Sequence, residues 1–275
     1  MLINPQKTAR TLLRKIFAAQ AVAVIICLSA FLVTAFTIWN SDYKLLALFL
    51  YVLFLLAGRL VLGLVVLAML RKLEAIINDQ CDPQSYLAVY DLIKEERALR
   101  GSKITISLNR ANAQYWCGDF APCRDTLQNI KFPSAMPLLR AYYHFLLGKT
   151  SLKLGDVAAA DEALGQLQHM NNTAKAGSRL ARNLEPCLRI LHLLIDQHKN
   201  ATVSTVTACR QELQQANCNL EKVTTTYRLA EAHIAADDSQ QAREALLFVV
   251  QTGGNLFCVA QAQTLLNQIE NEAGK

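Results

Sequence analysis

Charge is missing from Ile16 to Trp39 and nearly missing from Leu45 to Leu70, where Arg59 is the single charged residue. No Cys-x-x-Cys pair occurs among the eight cysteines, so neither a zinc site nor a thioredoxin-like redox centre is signalled. His-Glu-x-x-His, a glycine-rich phosphate loop, a nucleophile elbow and an EF-hand loop are all absent. The five histidines are dispersed, and His192 and His198 lie six apart, which is wrong for one helical face. After Leu70 no strand-like alternation of any length appears. These absences leave a chain expected to be all-α and to bind rather than catalyse. It has no cofactor, no metal site and no small-molecule substrate in evidence.

Composition is uneven. The 275 residues are 52% hydrophobic, with a mean hydropathy of +0.19, and most of the apolar excess sits early. Residues 1–72 carry eight Lys or Arg against one acid, Asp42, whereas the rest hold 20 basic and 21 acidic groups. The formal +6 is therefore local, and no basic face remains to hold a nucleic acid. Several cysteines fall on apolar helical stripes, where a reduced thiol acts as a small hydrophobe, in keeping with a reducing compartment.

At about 1.5 Å per residue, each apolar run is long enough for the roughly 30 Å core of a bilayer. The runs predict a two-helix transmembrane hairpin with spans of about 16–39 and 45–70. Lys7, Arg10, Arg14 and Lys15 precede the first span, and Arg71-Lys72 follow the second. By the positive-inside rule, both termini are expected in the cytosol of a multi-pass inner-membrane protein. Arg59 costs about 2.5–3.5 kcal/mol at a span centre, against about 0.3–0.6 gained by each Leu, Ile, Val or Phe. Eighteen such residues fill Leu45 to Leu70, so insertion is still expected. Ser29 is another polar group inside the runs, and neither run supplies an acid to pair with Arg59. Arg59 either contacts a partner, an ion or a lipid head group, or snorkels.

Past residue 72, Asp82-Pro83 reads as an N-cap and a first-turn proline, with Leu87, Tyr90 and Ile93 on the stripe of the helix that follows. Three stretches then share one skeleton of small and large residues. Ala111 leads to Gly118-Asp119, Cys123, Leu127 and Ile130. Gly148 leads to Gly155-Asp156, Ala160, Leu164 and Leu167, and Ala230 to Asp237-Asp238, Ala242, Leu246 and Val249. A small residue in each helix of a pair lets the two approach closely, and the larger ones fill the space between pairs. The intervening step supplies a helix stop and the next N-cap.

This skeleton resembles the tetratricopeptide repeat, across about residues 104–251. The first two units are 37 residues apart and the next is 82 further on, which leaves room for one degenerate unit, roughly Ser178 to Ala216, bearing Leu180, Leu184, Cys187 and Leu191. The hallmark Trp and terminal Pro are largely missing. Val259, Ala262, Leu266 and Ile269 mark a last, capping helix. The expected division is a basic lead over 1–15, the hairpin over 16–72, juxtamembrane and capping helices over 73–102, and a tetratricopeptide-like α-solenoid over 103–272.

The resemblance implies a concave groove lined by the first helix of each pair, where a protein or peptide partner binds. The groove positions would be Asn109, Asn112 and Trp116, then Tyr142, Phe145, Lys149 and Lys153, then Tyr227, Arg228 and Glu231. Asn and Lys side chains there could hold a carboxylate or a peptide backbone. The leading expectation is a membrane-tethered cytosolic scaffold, with the bilayer and a protein as partners. The alternative is an accessory subunit of a membrane transport, translocation or envelope-synthesis complex that acts through the hairpin and Arg59.

Overall fold

A computed structural model describes residues 72–95, 103–132, 136–199 and 203–273, together with short helical pieces between residues 10 and 60. Among the described residues the chain is all-helical, with no strand. It divides into two compact units, Met1–Ala75 and Ile76–Lys275.

The transmembrane hairpin and the inner-membrane localisation require correction. Among the described residues, no helix is long and apolar enough to cross a membrane. The two runs do meet, since the rings of Phe31 and Tyr51 lie 5.8 Å apart. The Ser29 hydroxyl donates to the carbonyl of Ile26 at 2.9 Å, which satisfies it within its own helix. Arg59 and the connector at 40–44 lie outside the described residues.

The second unit runs through α1 (Pro83–Glu95), α2 (Lys103–Cys117), α3 (Phe120–Gln128), α4 (Pro137–Lys153), α5 (Val157–Thr173), α6 (Arg179–Lys199), α7 (Val203–Gln215), α8 (Asn219–Ala235), α9 (Ser239–Thr252) and α10 (Phe257–Ala273). Each helix from α1 to α10 packs on the next in sequence. In addition α2 packs on α4, α4 on α6 and α8 on α10. This repeat-like packing of each helix on its neighbours is compatible with an α-solenoid.

The repeated skeleton forms the core. Ala111, Ala230, Cys123, Ala160 and Ala242 are fully buried, as are Leu127, Leu167, Leu246 and Val249. Gly148 shows why the small position is needed. A Cβ there would lie 2.7 Å from Cδ2 of Leu191 and 3.3 Å from Cβ of Ala163, so α4 touches both α5 and α6 through bare backbone. The three stops share one geometry. Gly118, Gly155 and Asp237 have positive φ. The amides of Asp119, Asp156 and Asp238 donate to the carbonyls of Gln114, Ser151 and His233, each at 2.9 Å. That is the Schellman closure. Asp156 and Asp238 then cap α5 and α9 by accepting from the amides of Ala159 and Gln241, while Asp119 makes no such bond.

Asp82 caps α1 through the amide of Ser85, and α1 packs on α2. Two helices, α6 and α7, occupy the stretch expected to hold the degenerate unit, and Leu184 and Leu191 of α6 are fully buried. The C-terminal end does more than cap. The amide of Asn255 donates to the carbonyl of Cys81 at 3.0 Å, and the amide group of Asn219 donates to the carbonyl of Asp79 at 2.8 Å. Phe257, at the start of α10, stacks on Trp116 of α2 with centroids 6.1 Å apart. The last helices therefore close back on the first.

Asp237 occupies a left-handed position, φ 57°, that its two counterparts fill with glycine. Asp237→Gly should raise the thermal stability of the chain by about 0.5–1 kcal/mol, through relief of the Cβ–carbonyl crowding. Thermal melts of the two proteins check this, and an unchanged or lower midpoint contradicts the shared stop.

Candidate functional site

One face of each first helix turns toward a common space. On α4, Tyr142, Phe145, Lys149 and Lys153 follow one another at helical spacing and form a stripe. On α2 the stripe is Asn112, Tyr115 and Trp116, on α6 it is Pro186, Arg189, Ile190 and Leu194, and on α8 it is Thr224, Tyr227, Arg228 and Glu231. Together with Phe257 and Cys258 of α10 they enclose a cavity of about 540 Å³.

Lys149 lies at the buried end and is only 8% exposed. Its Nζ sits 4.2 Å from the ring centre of Trp116, 4.3 Å from that of Tyr115 and 5.2 Å from that of Phe145. Among the described residues no carboxylate forms an ion pair with it. Burial pushes the ammonium down to about 7, and the Arg228 guanidinium pushes the same way, with Lys153 a smaller influence; Cys123 and Cys187 act weakly against this. The three ring faces favour the charged form, but at about 0.5–2 kcal/mol each they do not replace a lost hydration shell.

Arg228 is half satisfied. Its Nη2 donates to Oγ1 of Thr225 at 2.8 Å and its Nε to the carbonyl of Thr224 at 3.4 Å. Its Nη1 is enclosed with no hydrogen-bond partner among the described residues. Glu231 is the nearest compensation. Burial raises its carboxyl above the ordinary range, and Lys153, the Tyr227 hydroxyl and Arg228 pull it back. Burial and then the charge of Glu231 hold Tyr227 as a neutral phenol. Gln197 of α6 donates to the carbonyl of Arg228 at 3.2 Å and so ties α6 to α8 behind the site.

Nine of the ten groove residues expected from the sequence line this cavity: Asn112, Trp116, Tyr142, Phe145, Lys149, Lys153, Tyr227, Arg228 and Glu231. Asn109 does not, because its side-chain amide donates to the hydroxyl of Tyr90 at 2.9 Å, on α1. Three contributions escaped the sequence. Arg189 of α6 pairs with Glu212 of α7 at 2.5 Å. Glu221 lines the cavity and accepts from the amide of Asn217 at 2.7 Å. Phe257, whose ring takes Lys153 at 5.3 Å, forms a wall. The helical period of α6 would have found Arg189, but nothing local marks Phe257.

Carboxylates in the cavity are thus outmatched at the deep end. Glu212 pairs with Arg189 and Glu221 accepts from a backbone amide, which leaves Glu231 near Lys153 and Arg228. The described cysteines are reduced, and burial raises their thiols, those of Cys117 and Cys258 to about 12, so they are inert. Among the described residues no group of three or more His, Cys, Asp or Glu could hold a metal ion. No protein-family model matches the chain, and no curated protein or solved structure is significantly similar to it.

Lys149→Met tests the electrostatics. The folded side chain sheds its proton near 7 and an unfolded lysine near about 10.4. Between those values the unfolded chain binds more protons, so the charge costs stability in full below 7 and progressively less as pH rises. The Met variant should melt higher than the unsubstituted chain at about pH 6, with an advantage about 1 kcal/mol smaller at about pH 8. Melts at the two pH values measure it, and an advantage that is constant or grows with pH contradicts the burial of an unpaired ammonium.

Proposed function

We propose that this chain is a non-catalytic binding module, a tetratricopeptide-like α-solenoid whose concave face receives an acidic segment of a protein partner. The observation that carries the reading is the convergence of α2, α4, α6 and α8 on one cavity lined by Lys149, Lys153 and Arg228, where no described carboxylate pairs with Lys149. A partner's acidic side chains would supply the missing counter-charge. Its apolar side chains would pack on Trp116, Tyr142 and Phe145. Asn112 and the exposed Lys153 give the mouth of the cavity hydrogen-bonding groups for a peptide backbone.

Aromatic anchors inside a ring of polar groups also match the anatomy of surfaces that hold protein partners, where Trp, Tyr and Arg supply most of the affinity.

An array of short immobilised peptides that combine Asp or Glu with aromatic residues, probed with the full chain, tests the reading. Acidic peptides should bind, and their Asn and Gln counterparts should bind at least about tenfold more weakly. Lys149→Met combined with Lys153→Met should remove the preference. Equal binding of the neutral peptides, or no binding at all, contradicts the reading.

A further inference from the structure

The deep end of the cavity differs from its mouth. Lys149 is 8% exposed whereas Lys153 is open to solvent, and one guanidinium nitrogen of Arg228 is enclosed without a partner. A peptide backbone lying across the mouth would leave both deep cations uncompensated. The walls around them are aromatic, with Trp116 and Phe257 stacked and Phe145 opposite Lys149. The space is also bounded. Phe257 packs against Gly118, where an added Cβ would lie 3.1 Å from its own Cβ, and Asn255 is bonded to Cys81. The resulting 540 Å³ falls within the roughly 300–1,000 Å³ of pockets that enclose small molecules.

We infer that this deep end is a binding site for a small aromatic anion, a carboxylate or a phosphate monoester, with its acid group on Lys149 beside the Arg228 guanidinium and its ring against the aromatic wall. An anion there gives the Lys149 ammonium the counter-charge that no described carboxylate provides. The Arg228 guanidinium is near enough to disfavour the charged form of Lys149, and a negative group beside Lys149 offsets that repulsion. A neutral molecule of the same shape would fill the cavity and leave both cations as they are, so the site discriminates by charge. The inference goes beyond the partner reading and stands without it. A bound acid would occupy the cations that a partner's acidic segment needs, so the two would compete.

Calorimetric titration of the full chain with benzoate, phenyl phosphate and the neutral benzamide tests the inference. At least one of the two acids should bind about tenfold or more tightly than benzamide, and the comparison between them tells carboxylate from phosphate. Lys149→Met and, separately, Arg228→Gln should each reduce binding of that acid by about tenfold while the helical content stays unchanged. Benzamide binding as tightly as the acids, acid binding that survives both substitutions, or no binding by any of the three overturns the inference. Acidic peptides that bind while the small acids do not would leave the partner reading intact and end this one.

Discussion

The contact between the backbone of α4 at Gly148 and the side chains of Leu191 and Ala163 sets the geometry of everything near the cavity. With no Cβ at 148, α4 settles against α5 and α6 at once, in the close approach that small residues allow between helices. Because that face is committed to packing, the positions about a third of a turn round must look the other way. Those are Tyr142, Phe145, Lys149 and Lys153, and all four line the cavity. The same reasoning applies on α2, where Ala111 is buried and Asn112 faces inward, and on α8, where Ala230 is buried and Glu231 faces inward. In all three helices the small residue and the site residue are sequence neighbours. Core packing and site construction are one constraint.

The cost of the arrangement falls on Lys149. An ammonium stripped of water with no carboxylate beside it is unfavourable, and the three aromatic rings offset only part of that. Structures keep such groups where something else benefits from them, and strongly shifted groups gather at functional sites for that reason. The surroundings are built up with care. Gln197 holds α6 to α8, the Arg189–Glu212 pair holds α6 to α7, and Phe257 closes the wall from the far end of the chain. A solvated polar face would need none of these supports.

Much of this was legible in the sequence, for identifiable reasons. The offsets joining Ala111, Gly148 and Ala230 to the residues after them encode helix pairing, because both the 3.6-residue period and the Schellman stop leave local marks. Site stripes follow from the same period. Asn109 was misplaced because it lies one turn before Asn112 on the same face, and only the hydroxyl of Tyr90 on the preceding helix draws it away. Closure of the array was not legible. Gly253-Gly254-Asn255 reads as the end of the last helix pair, yet a Cβ on Gly254 would lie 2.7 Å from the carbonyl of Cys81. A contact between segments so distant in sequence leaves no periodic trace. Hydropathy registers the length of an apolar run, yet among the described residues no helix is long and apolar enough to cross a membrane.

The central claim is that the cavity holds a buried cation which the chain itself does not neutralise. Nuclear magnetic resonance of lysine side chains in the full protein, labelled with ¹³C and ¹⁵N at the ε-carbon and ζ-nitrogen, reads that cation directly through a pH titration. The account predicts that the Lys149 signal titrates near 7, well apart from the signals of solvent-exposed lysines, which titrate at about 10.4. It also predicts that this midpoint moves upward when an anion occupies the cavity. A Lys149 signal that titrates together with the exposed lysines would contradict it.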